Sequence, residues 1–158
     1  MTSLTGHLHF LKTRTFLQIG DKFEHIYLNA SDNERLPLRN HITSHLLLLA
    51  ISTSCEPCLQ TLLLLPQIMS KHTNLRILLL VDSDPNSLAV IKESFENITV
   101  GIYPATSEFI FQTLKADGVP WGFTLNSEAQ VLSLGPCSDL IGFEMLLRPL
   151  SCLLKDPL

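Results

Sequence analysis

Two stretches of the chain, "HLLLLAIS" at 45–52 and "LRILLLVD" at 75–82, restrict the fold more than anything else in the sequence. In each the apolar residues run on without alternation, so both faces of a strand built from them must be covered, which is the pattern of a strand inside a sheet layered on both sides. We read strands over Leu46 to Ile51 and Leu75 to Val81. The intervening residues, from about Cys55 to His72, favour helix, with Leu59, Leu62, Leu63, Leu65 and Met69 giving an apolar face and Ser52, Thr53 and Ser54 as N-cap candidates. Strand, helix, strand at this spacing implies a parallel β-α-β unit, because parallel neighbours need a long crossover. With 158 residues, 46% of them apolar and 16% charged, the chain can bury a core of the size such a layered sheet requires.

The flanking segments fill out the architecture. "FEHIYLNASDNERLPLRN" carries two short β-like pieces around Ala30, Ser31, Asp32 and Asn33, a hairpin expected to decorate one edge. "DSDPNSLAVIKESFEN" predicts a helix capped by Ser83 or Asp84 with Pro85 in its first turn. Further elements are a strand at Ile98 to Tyr103, a helix at Ser107 to Lys115 stopped by Gly118, and a hairpin of "WGFTLN" and "AQVLSLG" divided by Ser127 and Glu128. A last helix spans Asp139 to about Leu147 and ends near Pro149. The expected class is therefore α/β, a mixed central sheet flanked by helices, with an N-terminal hairpin and an inserted β-α unit. No repeat or Pro/Gly/Ser-rich linker divides it, so a single domain over 1–158 is expected, with its core at about 19–148.

The formal net charge of −4 and the lack of a lysine or arginine cluster argue against nucleic-acid partners. The apolar runs are too short to span a bilayer, and the opening "MTSLTGHLHFLKTRTFLQIG" holds no unbroken hydrophobic segment of the signal-peptide kind. As written the chain is expected to be cytoplasmic; a preceding anchor segment would instead make it extracytoplasmic. His7, His9, His41 and His45 have no cysteine or acidic pattern beside them and are expected at the surface or in turns. No cofactor and no metal site is expected, and the protein is expected to be a monomer.

Chemistry concentrates in "TSCEPCLQ" at 53–60. Cys55 and Cys58 fall at a helix start, where unpaired N–H groups and a partial charge of about +0.5 stabilise a thiolate. Cys55 is the expected nucleophile, and Cys58, one turn on, can attack a mixed disulfide formed by Cys55. Pro57 offers no N–H and stiffens the loop between the sulfurs. Glu56 opposes a second negative charge at Cys55, which favours a reducing over an oxidising couple. Alternatives for the pair are half a zinc site, for which Cys137 and Cys152 supply no second closely spaced pair, or inert buried thiols.

From about Ile19 to Leu134 the chain resembles the thioredoxin-like superfamily, in particular its TlpA/ResA-like thiol-disulfide oxidoreductases. The resemblance rests on "IGDKF", the strand before "SCEPC", the helix after it, the β-α insert at 75–103, and "GVPWGFTLN". It implies a thioredoxin-like fold and thiol-disulfide exchange with protein thiols and disulfides, supported by an unidentified redox partner. It also implies a cis Pro120 beside the sulfurs and a substrate strand pairing with the backbone at Val119, a form of β-strand addition. Trp121 would then border the substrate groove, although a core or rim aromatic is the plainer reading.

The chain departs from that pattern at several positions. Ser54 replaces an aromatic residue before the first cysteine. Leu49 and Thr61 stand where relatives carry a buried proton-accepting carboxylate, and Pro66 lies three positions beyond the usual helix proline, at Leu63. These departures keep open a second hypothesis, a non-catalytic accessory or binding protein on the same fold. A peroxidase reading lacks the Pro-x-x-x-Thr-x-x-Cys setting, since the chain has "AISTSC". Cys137, in "LGPC", is a weaker candidate for a third redox thiol than for a buried small hydrophobe.

Overall fold

The computed structural model describes residues 17–154. The two apolar runs become β3 (His45–Ser52) and β4 (Ile77–Asp82), joined by α1 (Glu56–Lys71). They pair in parallel, with Leu49 opposite Leu79. Every residue of β3 is buried, as the unbroken apolar pattern requires. The helix α2 (Pro85–Phe95) follows β4 and leads to β5 (Gly101–Pro104), which extends the parallel part of the sheet. On the other side of β3 run the antiparallel strands β6 (Trp121–Asn126) and β7 (Val131–Pro136), giving the order β5-β4-β3-β6-β7. The chain then forms α3 (Leu140–Leu147) and a 3-10 turn at Arg148–Leu150 that contains Pro149.

Alternate residues of the central strands feed two cores. Leu47, Leu49, Ile51, Ile77, Leu79 and Val81 point to one face, where α1, Ile91 of α2, and Phe143 and Leu146 of α3 cover them. Leu46, Leu48, Ala50, Leu78 and Leu80 point to the other, under Phe23, Leu28, Leu38, Ile110 and Leu114. The N-terminal hairpin, β1 (Tyr27–Ser31) and β2 (Glu34–Pro37), is a separate two-stranded sheet that contributes Leu28 to this second core and lies against the edge strand β5. Phe23 and Phe123 meet edge-on there, ring centres 5.2 Å apart. Burying one such leucine or phenylalanine contributes about 1.5–3 kcal/mol, so the doubly covered β3 and β4 are major contributors to the stability of the layered structure. Among the described residues no helix is long and apolar enough to cross a membrane.

Several local expectations are corrected. The cap of α1 is Cys55 itself rather than Ser52, Thr53 or Ser54. On α1 the buried positions are Cys58, Thr61, Leu62, Leu65 and Ile68, whereas Leu59 and Leu63, counted on the apolar face from the sequence, are 54% and 64% exposed. The helix runs through Pro66. The segment expected as a helix to Lys115 contains a π-helical turn, Phe109–Thr113. It ends at Lys115, which takes φ 59°, before Gly118 is reached. In the late hairpin Ala129 has φ 62° and is buried in the turn, so β7 starts two residues later than "AQVLSLG" suggests. His45 is no turn residue. It is buried at the start of β3, where its Nε2 accepts the Arg76 N–H at 3.3 Å and its Nδ1 lies 2.8 Å from Ser44 Oγ. His41 Nε2 lies 2.8 Å from Tyr103 Oη, and its carbonyl accepts two bonds from the Arg76 guanidinium. His7 and His9 lie outside the described residues.

Candidate active site

The site forms where β3 and β4 end. Ser52 and Asp82 are register partners at the carboxyl ends of two adjacent parallel strands, the place where open α/β sheets present ligands to their loops. From Ser52 the chain turns through Thr53 and Ser54, held by a Ser52 Oγ to Ser54 Oγ contact of 2.9 Å, and enters α1. Cys55 has extended backbone angles, as an N-cap must, and its Sγ accepts the Cys58 N–H at 3.2 Å. Pro57 occupies the first turn, where its missing N–H costs the helix nothing.

Cys55 and Cys58 form a disulfide, with their Cα atoms 5.3 Å apart. The two sulfurs are unequally placed. Cys55 is half-buried at the rim, whereas Cys58 is buried, its Sγ accepting the Ser52 N–H at 3.4 Å. An incoming thiol can therefore reach Cys55, while Cys58 is reached from inside the loop. Cys55 Sγ also stands 3.5 Å from the Val119 carbonyl oxygen. Val119 is half-buried, Pro120 is buried, and the peptide bond between them is cis.

Two cavities touch Cys55 from opposite sides. A groove of about 490 Å³ runs between α1 and α2, with Leu59, Leu62, Val90 and Ile91 on its walls and Glu56 as its one charged side chain. A smaller cavity of about 240 Å³ lies toward Val119 and is lined by Ser52, Ser54, Asp82, Ser107, Ile110 and Phe111. Neither contains a lysine, arginine or histidine. Amide groups at the start of α1 are thus the favourable electrostatics offered to a Cys55 thiolate, and two acidic side chains oppose it.

Glu56 is exposed in the first turn of α1. Trp121 opposes Ala50 in the sheet and packs toward the second core, lining neither cavity beside Cys55; its indole N–H is buried and unpaired. Thr61 is fully buried, and its hydroxyl donates to the Cys137 carbonyl at 2.8 Å, with the Pro57 carbonyl at 3.4 Å. It thereby ties α1 to the end of β7. Leu49 lies in the core opposite Gly122. Cys137 is buried, and burial pushes its thiol up to about 12, which removes it as a nucleophile near neutral pH. Cys152 is exposed and free. Among the described residues no group of three or more His, Cys, Asp or Glu side chains is arranged to hold a metal ion.

Sequence reasoning missed Asp82, Ser87, Val90 and Ile91 as neighbours of the sulfurs. The signal was present in the parallel β-α-β reading, because the residues after each parallel strand converge at the same sheet edge.

No known family profile and no curated protein matches the chain. Solved structures do match. One is a candidate thiol:disulfide interchange protein DsbE from Chlorobium tepidum, 15% identical, with a TM-score of 0.67 over 86% of this chain and 97% of that one. Another is the thioredoxin domain of a thiol-disulfide oxidoreductase from Bacteroides vulgatus, 10% identical, with a TM-score of 0.66 over 88% and 99%. A thiol peroxidase from Chromobacterium violaceum is 15% identical, with a TM-score of 0.63 over 86% and 87%. Likeness at this level carries architecture: the five-stranded mixed sheet and its flanking helices give the chain a thioredoxin-like fold.

Proposed function

We propose that the chain is a thiol-disulfide oxidoreductase acting on protein thiols and disulfides through Cys55 and Cys58. The observation that carries the proposal is the asymmetry of the pair: a reachable Cys55 sulfur accepting a helix-start N–H at 3.2 Å, and a buried Cys58 one turn behind it. In the reducing direction the Cys55 thiolate attacks a substrate disulfide, forms a mixed disulfide and releases the first substrate sulfur. Cys58 then attacks Cys55 Sγ, which closes the intramolecular disulfide and releases the second substrate sulfur. Two electrons pass from the protein dithiol to the substrate, and the protons given up by the two thiols end on the substrate sulfurs. A dithiol partner restores the reduced state.

We favour reduction as the working direction, because the two cavities bring Glu56 and Asp82 toward Cys55 and bring no cation. A less stabilised thiolate goes with a more reducing couple. The Val119 carbonyl beside Cys55 suits main-chain pairing with an extended substrate segment, which is indifferent to sequence.

The test is insulin reduction with dithiothreitol as donor, in the wild type and in Cys55→Ser and Cys58→Ser. The expected result is a loss of at least about a hundredfold in both variants, with Cys58→Ser accumulating a mixed disulfide at Cys55. Variants that keep wild-type activity would instead favour an accessory protein whose cysteines are structural.

A further inference from the structure

Main-chain pairing at Val119 leaves the larger cavity, on the far side of Cys55, without an assigned occupant. Most of its surface is apolar, with Leu59 and Leu62 from α1 and Val90 and Ile91 from α2 as walls, while four serine or threonine residues also border it. Leu59 and Val90 are 54% and 62% exposed, so aliphatic surface flanks the Cys55–Cys58 pair from both helices. At about 490 Å³ the groove lies in the size range that engulfs organic groups. Cys55 and Cys58 both border it, so a group bonded to the half-buried Cys55 during exchange stands at its mouth. Its one charged side chain is acidic, so an anionic occupant meets repulsion and finds no counter-charge.

We infer that this groove is the specificity subsite of the exchange reaction, and that it takes an apolar side chain, such as leucine, methionine or phenylalanine, carried by the substrate polypeptide next to its reacting cysteine. The inference rests on the redox role proposed above and names the substrate class that role would select: protein disulfides with an aliphatic or aromatic neighbour, over acidic disulfides such as oxidised glutathione. The β-α insert thereby acquires a purpose, since α2 supplies one wall.

Single-turnover oxidation of the reduced protein tests this without a donor. Three peptide disulfides, identical except for leucine, glycine or aspartate beside the cysteine, are compared with hydroxyethyl disulfide, which is small and uncharged. The expected order is leucine over glycine over aspartate, with at least about tenfold between the first two. Val90→Asn and Leu59→Asn, which add no charge near Cys55, should bring leucine and glycine to within about twofold, while Ile141→Gln on α3 keeps the wild-type ratio. Equal rates for the three peptides in the wild type, or a leucine preference that survives both asparagine variants, would overturn the inference. If either variant fails to fold, the wild-type ratio decides alone. A wild-type protein that reduces hydroxyethyl disulfide yet shows no peptide preference refutes the groove assignment only; one that fails to reduce even that compound refutes the redox reading and the subsite with it.

Discussion

At the scale of single residues, the four cysteines illustrate how position decides chemistry. Cys55 caps a helix and is half-buried, Cys58 is buried one turn behind it, and Cys137 is sealed in the core with its thiol pushed up to about 12. Iodoacetamide applied to the reduced native protein at pH 8 should therefore modify Cys55 and the exposed Cys152, and should reach Cys137 only after denaturation, as peptide mapping by mass spectrometry would report. Native-state labelling of Cys137 would remove it from the core. A second pair of residues sets a pH dependence. Burial, with Arg76 as the next contributor, holds His41 and His45 below the ordinary histidine value of 6.5. The folded state thus binds their protons less readily than the unfolded chain does. Their contribution to stability is complete above about pH 6.5 and is lost as the pH falls below it. Urea midpoints should drop between pH 7 and pH 5. His45→Gln, which keeps an acceptor for the Arg76 N–H, should flatten that drop.

At the scale of elements, α1 is fixed on its buried face by Thr61, whose hydroxyl bridges to the Cys137 carbonyl. Thr61→Val leaves that buried carbonyl without its donor and should cost about 1–3 kcal/mol in denaturant unfolding. Gly122 does similar work for α3: a Cβ there would stand 2.5 Å from Leu146 Cδ1, so Gly122→Ala should lower stability by about 1–3 kcal/mol. Elements that bury both faces, β3 and β4, were legible from their unbroken apolar runs, and the start of α2 from Pro85 with Ser83 or Asp84 as its cap, of which Asp84 takes the role. The π-helical turn was not, because its wider backbone bonding follows from how Ile110 and Leu114 reach the second core rather than from any local pattern. The outward Leu59 and Leu63 were misjudged for a related reason. Leucine composition says that a helix has apolar surface, but the angular position of each residue relative to α2 and α3 decides which of it is covered.

At the scale of the whole molecule, the sheet order places the ends of β3 and β4, the start of α1 and the Val119–Pro120 segment around one sulfur. The Cys55–Cys58 pair could be found in the sequence from helix-start chemistry. Val119 and Pro120 could be found from the resemblance. The groove wall supplied by α2 could be placed at that sheet edge from the parallel β-α-β reading, but not its closeness to α1, which depends on how two helices separated by β4 pack against each other. The central claim is that Cys55 and Cys58 form a reversible two-electron couple. Its most direct test is equilibration of the protein, in a Cys152→Ser background, across a series of glutathione redox buffers, with free thiols counted by alkylation and mass. One reversible transition is expected, in which two thiols disappear together, and it should be absent when either Cys55 or Cys58 is replaced by serine; a pair that stays oxidised or reduced across the whole series, or a two-thiol transition that survives those replacements, would show that the two cysteines are not such a couple.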